Sequence, residues 1–357
     1  MSGGLYGRGK APERRCMPAA AWPAADRGRW AQALTVGDIL DEDIGARASH
    51  SAKSNAKTER GYGRWLTYCL MYEPGALDLS PGERVIAERV KRYVRHMQEL
   101  GNSTHTLMCR LQELEDAAKV IAPQGSYGFI KRFGAQVRAR HVPARAKSRI
   151  VMSDELAQLG HDCMIKARGL DGVEAATLFR DGLMIAFLAY VPIRRKNFAG
   201  LTLDRNFLRR DGRWIIELSQ AETKTHAYFE AMLPQSLEPF LNEYLSVHRP
   251  LLAARTGRWK GPVADSLWVS QHGSAMTQMA LYDRIRRHTG AKFGVGLGPH
   301  LFRDAAATTL ATEAPEHVRV AAPVLGHRNF RTTEIYYRQA KVQQAHKRYV
   351  EALIGEE

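Results

Sequence analysis

The chain is 357 residues long, 45% hydrophobic and 25% charged, the make-up of a folded protein with room for two domains, each with its own core. Its 52 Lys and Arg against 37 Asp and Glu leave a net charge of +15, an excess that suits a polyanion held by contacts that weaken steeply with salt. Cys16, Cys69, Cys109 and Cys163 form no CxxC pair, which argues against a disulfide framework or zinc site, and no apolar run approaches a membrane span, so a cytoplasmic protein is expected.

Residues 1–33 are rich in Gly, Ala, Pro and Arg and show no sustained period. Cys16–Ala25 is interrupted by Pro18 and Pro23 and makes a poor signal-peptide core. The basic residues Arg8, Lys10, Arg14, Arg15, Arg27 and Arg29 outnumber Glu13 and Asp26, and a flexible basic tail is expected, with a loose polyanion-binding arm as the lesser option.

Residues 34–142 read as helices. Ala56–Tyr72 places Tyr62, Trp65, Leu66 and Cys69 at helical spacing and is ended by Pro74-Gly75. Pro81 opens a second helix with the stripe Val85, Ile86, Val90, Tyr93, Val94 and Met97, stopped by Gly101. Ser103 or Thr104 caps a third, carrying Leu107, Leu111, Leu114 and Ala118, and Phe129–Val137 suggests a fourth. A bundle of four or five helices fits, its aromatic stripe read as core. Arg138, Arg140, Arg145, Lys147 and Arg149 then surround Pro143 with no acid among them, and residues 143–152 read as a basic linker able to track phosphates or to act as a solvated tether.

A second domain is expected over 153–357. Ser153 looks like an N-cap, followed by Asp154 and Glu155 in the first turn. Thr177–Tyr190 ends in the unbroken apolar run LMIAFLAY, and Pro192 breaks it. Arg194, Arg195 and Lys196 follow, three cations that packing does not explain. From Leu201 to Leu233 the pattern changes to strands: Asp211-Gly212 turns one into the next, and a third runs from His226 to Leu233 after the loop Glu222-Thr223-Lys224-Thr225. Pro234 leads into a helix with Leu237, Phe240, Leu241 and Tyr244 inward, 256–262 is a basic loop, and Leu267–Val269 is a short strand. Thr277 caps a helix whose Arg284, Arg286, Arg287 and His288 could meet phosphates. Gly294-Val295-Gly296-Leu297-Gly298 lacks the lysine and spacing of a phosphate loop and reads as a turn. The expected class is mainly α with a small antiparallel β-sheet.

The chemistry gathers in 299–340. His300 and Arg303, three apart, share a helix face, Leu325-Gly326-His327 follows, and Tyr336 stands nine residues after that histidine. A guanidinium matches phosphate oxygens, an imidazole moves protons near neutral pH and a phenol can act as a covalent nucleophile, so the set describes phosphoryl transfer through a protein–phosphate ester. The bland alternative is a basic amphipathic helix with structural histidines. Past Tyr336, the stripe Val342, Ala345, Tyr349, Ala352 and Leu353 makes a terminal helix that can dock on its own domain or a neighbour's.

The blocks His300-Leu301-Phe302-Arg303, Leu325-Gly326-His327 and Thr332-Thr333-Glu334-Ile335-Tyr336, in this order and spacing, resemble the tyrosine recombinases, or phage-type integrases. The resemblance implies a helical core-binding domain at 34–142, a mixed α+β catalytic domain at 153–357, and further catalytic residues at Arg194, within Pro192–Leu201, and at Lys224, on a β-hairpin turn. Two departures stand in the first of these blocks: Pro192 where the family has glycine, and Asn197 where many members have an acid. The implied activity is site-specific cutting and rejoining of double-stranded DNA on a mobile genetic element. Tyr336 would form a 3′-phosphotyrosine, with Arg194, Arg303 and His327 on the phosphate, Lys224 protonating the leaving oxygen and His300 assisting at the tyrosine. The ester conserves bond energy, so neither ATP nor a metal cofactor is expected. The implied partners are DNA at the nucleoid, a synaptic tetramer of the chain itself and an accessory DNA-bending or directionality protein. The rival readings are a type IB topoisomerase-like cutter, a DNA-binding protein without chemistry, and a histidine phosphatase using His300.

Overall fold

The computed structural model describes residues 15–38, 44–140, 151–255 and 265–313. The chain divides into two units, Met1–Ala146 and Lys147–Glu357, each with its own buried core.

The first unit is helical: α1 (Ala24–Ala33), α2 (Ala52–Tyr72), α3 (Pro81–Arg84), α4 (Ala87–Glu99), α5 (Thr104–Ile121) and α6 (Gly128–Ala139). Side chains that accept a backbone N–H start three of them: Ser51 from Ser54, Ser80 from Glu83 and Ser103 from Thr106. The single helix expected from Pro81 is broken at Val85-Ile86, where the buried Arg84 turns back to Asp26. Arg84 donates to both carboxylate oxygens of Asp26 at 2.6 and 2.9 Å and to the carbonyls of Ala76, Leu77 and Leu79. Tyr62 donates to Asp26 at 2.7 Å, so a fully buried ion pair joins α1, α2 and α3.

The flexible tail expected over 1–33 is corrected within the described residues. Met17, Trp22 and Trp30 are buried, and Trp22 meets the Tyr62 ring edge-on at 5.0 Å. Before α1, which carries Trp30, the segment holding Met17 and Trp22 crosses α2 irregularly through a single 3-10 turn, so these two follow neither a helical nor a strand period. It lies so close that a Cβ on Gly63 would come within 2.2 Å of the Met17 carbonyl oxygen, while Met17 N–H reaches Gly63 O at 2.9 Å.

In the second unit α7 (Ser153–Ala167) packs on α8 (Gly172–Tyr190), whose residues from Ala175 to Ala189 are nearly all buried. The two approach closest at Gly160 and Gly182, where a Cβ on either would strike the other helix's backbone within 2.7 Å. Ser153 is not the cap: Met152 precedes the helix, its N–H is taken by the Glu155 carboxylate, and Ser153 N–H donates to Thr309 Oγ1 at 3.1 Å. After the short α9 (Arg195–Ala199) come β1 (Phe207–Arg210), β2 (Arg213–Leu218) and β3 (Phe229–Met232), an antiparallel sheet in that order with Leu208 opposite Ile215 and Ile216 opposite Ala231. Asp211 and Gly212 both take positive φ, as a two-residue hairpin turn requires. The helix expected after Pro234 comes in pieces: α10 (Glu238–Glu243), a π-helical turn at Tyr244–His248, and α11 (Arg249–Ala253). α12 (Gln278–Phe293) is capped by Thr277 and ended by Gly294 at φ 73°, and α13 (Pro299–Glu313) follows. The class is mainly α with a small antiparallel sheet, as expected. Among the described residues no helix is long and apolar enough to cross a membrane.

Candidate active site

The buried α8 delivers the chain into Val191-Pro192-Ile193, all buried, and Arg194 takes the extended N-cap position of α9. Ile193 and Phe198 anchor this corner in the core, and Trp268 Nε1 donates to Phe198 O at 3.0 Å. Arg194 is therefore half-buried on a rigid support, and burial pushes its guanidinium pKa down from the ordinary value. Arg195 lies over the Tyr282 ring of α12 at 5.3 Å and Arg286 at 5.5 Å, so packing does account for one of the three cations.

Arg303, on the first turns of α13, is 6% exposed, and its Nη1 donates to Pro192 O at 2.7 Å. That bond ties the helix carrying His300 and Arg303 to the turn two residues before Arg194. His300 is exposed one turn earlier, on the face that i, i+3 spacing shares with Arg303. Lys224 is exposed in the connection between β2 and β3. His327 and Tyr336 lie outside the described residues, as does the expected terminal helix. The structure thus joins the surroundings of Arg194 and Arg303.

The expectation that Arg284, Arg286, Arg287 and His288 face phosphates is corrected for two of them. Arg284 donates to Asp181 Oδ2 at 2.5 Å, and His288 Nε2 lies 2.9 Å from the same oxygen. Asp181 is fully buried, and its other oxygen receives Arg180 at 3.0 and 2.6 Å. Burial alone would push this carboxyl up; Arg180, His288 and Arg284 outweigh it and hold it below the usual range. The pairing across α8 and α12 spans more than a hundred residues, and its one sequence signal is the charged Arg180-Asp181 step inside an apolar helix. Also missed is the group that frames Lys224: Asn206, Glu222 and Thr223, whose partners are backbone atoms and distant side chains.

Comparison with known proteins follows this geometry. The phage integrase family profile matches residues 153–343, a range that contains all six candidate positions. The tyrosine recombinase XerC of Pseudomonas syringae pv. syringae is 26% identical over 288 residues, covering 78% of this chain and 82% of XerC. XerD of Pseudomonas aeruginosa is 30% identical over 174 residues, 48% of this chain, and the match spans about half of XerD, 54%. Among solved structures, the Tn1549 transposon integrase in complex with transposon right end DNA aligns with a TM-score of 0.56 at 15% identity, covering 90% of this chain and 98% of that one. XerH bound to its difH substrate gives 0.52 at 16%, covering 92% and 94%. At such identities these structures carry the fold alone. With more than half of its length matched by the family profile, the chain belongs to the phage integrase family, the tyrosine recombinases.

Proposed function

We propose that the chain is a site-specific recombinase that cuts and rejoins double-stranded DNA through a phosphotyrosyl bond. The observation that carries this reading is the Arg303–Pro192 bond, which holds one candidate phosphate-binding guanidinium against the turn presenting the other. Two buttressed guanidinium groups suit the non-bridging oxygens of one phosphodiester, where charge grows in the transition state. Arg303, buried and hydrogen-bonded to the main chain, meets the phosphate already oriented.

In this reading the Tyr336 phenol oxygen bonds to phosphorus and the bond from phosphorus to the 5′ oxygen breaks. The phenol proton leaves through His300, the 5′ oxygen takes a proton from Lys224, and His327 donates a hydrogen bond to the phosphate. The product is a 3′-phosphotyrosine and a free 5′-hydroxyl, and reversal onto a second strand completes exchange. Exchange between duplexes calls for a synaptic tetramer, with an accessory DNA-bending or directionality protein setting its direction in the nucleoid.

Of the adjacent Tyr336 and Tyr337, the Thr332-Thr333-x-x-Tyr spacing selects Tyr336 as the nucleophile. The test is a denaturing gel of protein mixed with nicked duplexes that the wild-type chain selects from a randomised pool. Tyr336→Phe abolishes the covalent adduct and keeps site binding near normal, while Tyr337→Phe still forms it. An adduct peptide with DNA on Tyr337 overturns the assignment. Relaxation of supercoils without strand exchange would turn the reading towards a topoisomerase.

A further inference from the structure

The connection between β2 and β3 has an internal frame. The Thr223 hydroxyl, in a side chain only 5% exposed, donates to Ala227 O at 2.7 Å and accepts Ala227 N–H at 3.0 Å, with Gln220 O a second acceptor at 3.3 Å. One side chain thus holds both polar groups of the residue four positions on, closing Lys224-Thr225-His226 into an arch. His226 N–H returns to Thr223 O at 3.3 Å with its own φ at 52°, a left-handed conformation that non-glycine residues hold only when their surroundings impose it.

The arch is also moored to the rest of its unit. One Glu222 oxygen accepts Ser219 N–H and its hydroxyl at 3.0 and 2.9 Å; the other accepts Asn206 Nδ2 and Arg205 Nη2, both at 3.1 Å. Asn206 is 3% exposed, and the same Nδ2 lies 3.3 Å from Gly200 O, while its Oδ1 accepts Thr202 N–H at 2.8 Å. Gly200 is the C-cap of α9, the short helix whose N-cap is Arg194. A continuous run of hydrogen bonds therefore leads from the helix behind Arg194, through Asn206, to Glu222, which is joined through the peptide chain to Thr223 and so to Lys224. A lysine on a four-carbon stem gains most from such a fixed base, because its own torsions are otherwise free.

We propose that Thr223, with the Glu222–Asn206 bridge behind it, is the positioning device that holds the Lys224 ammonium at a fixed place relative to Arg194, where it delivers its proton to the 5′ leaving oxygen. Thr223 acts through Lys224 and touches no substrate. The inference rests on Lys224 being the general acid, and a substrate can test the two separately. When the bridging 5′ oxygen is replaced by sulfur, cleavage expels a thiolate, which leaves readily without a proton. A defect in proton delivery is then bypassed, whereas a defect in folding, DNA binding or phosphate contact is not.

The experiment uses the full chain and duplexes it selects from a randomised pool, rebuilt with oxygen or bridging sulfur at the mapped scissile position. Lys224→Ala is expected to cleave the oxygen substrate about 100-fold or more slower than the wild type, and the sulfur substrate at nearly the wild-type rate. Thr223→Val, which keeps the shape and removes the hydroxyl, should lose at least tenfold on oxygen with little loss on sulfur, and Thr223→Ser should restore the oxygen rate. Glu222→Ala, on a half-exposed side chain, gives the same pattern should the valine variant fail to fold. If Lys224→Ala is rescued by sulfur while Thr223→Val and Glu222→Ala are full-speed on oxygen, or equally slow on both substrates, the positioning role is wrong and the lysine assignment stands. If Lys224→Ala is slow on both substrates, the general-acid reading falls and takes the inference with it.

Discussion

Replacing Asp181 by asparagine removes one charge and almost no volume, and the structure sets the size of the effect. The carboxylate accepts two bonds from Arg180 on one oxygen and one each from Arg284 and His288 on the other. An amide keeps one oxygen and turns an NH2 group on the other side, where an arginine cannot accept it: facing Arg180 it loses both of that residue's bonds, and facing the other pair it loses Arg284, with a neutral His288 Nε2 left as an acceptor. Arg180, 2% exposed at its side chain, has nowhere to find water, while Arg284 at 26% can turn outward. Two charge-assisted bonds at about 1.5–3 kcal/mol each bracket the roughly 3–5 kcal/mol seen when a buried pair loses one partner, and outward relaxation of Arg284 puts the expected cost near the lower end, about 3 kcal/mol. With a urea m-value of about 2 kcal/mol/M, the unfolding midpoint of this unit falls by about 1.5 M. Hydrogen exchange on α8 and α12 peptides across a urea series reads that unit apart from the other. The carboxyl sits below its ordinary range when folded, so its contribution is full above about pH 4. It is lost as pH falls through the folded value, and the asparagine variant lacks this dependence. A loss under about 1 kcal/mol would equate the hub with an exposed ion pair and refute the reasoning.

Arg84→Met leaves the buried Asp26 charge with Tyr62 alone and takes the Arg84 donor from three carbonyls, and the first unit should lose about 3–5 kcal/mol in urea unfolding, with the second unit's exchange unchanged. Hydrogen bonds from Arg92 and Arg89 hold the Glu73 carboxyl down at about 2 against an ordinary 4.5. Its stabilisation is therefore complete above about pH 4.5 and fades towards pH 2, and Glu73→Gln should flatten the first unit's stability between pH 5 and pH 3. Gly63→Ala should free the Met17–Trp22 segment at a cost of about 1–3 kcal/mol, read as faster exchange there. Strand cleavage should persist in chelator and drop steeply with added salt; complete loss in chelator, restored by magnesium, would contradict the transesterification proposed above.

What was legible in the sequence is what is decided locally. The cap at Ser103 or Thr104, which falls on Ser103, the cap at Thr277, the stop at Gly101, the turn from Gly294 and the Asp211-Gly212 turn each depend on hydrogen bonds or dihedrals within a few residues. The path of Met17 and Trp22 was invisible because irregular chain has no period, even when it is buried. The break at Val85 was invisible because the Arg84 side chain turns back to partners earlier in the chain, one of them 58 residues away. In the candidate site the residue types in the His300-x-x-Arg303 block could be read directly. Their supports could not, because Asn206 reaches Glu222 across the whole β1–β2 hairpin and Arg284 reaches Asp181 across 103 residues.

One partner of Arg303 is a carbonyl, and every amino acid owns one. A contact of this kind leaves no mark on the identity of residue 192, only on where the chain passes. Proline can therefore stand in for glycine at this turn without removing the acceptor that Arg303 uses, and in addition it fixes φ for the stretch leading to Arg194. Substitution tolerance at 192 should then follow backbone conformation rather than side-chain chemistry: replacements that hold an extended path are silent, and those that shift the carbonyl cost an arginine more than one hundred residues away this hydrogen bond.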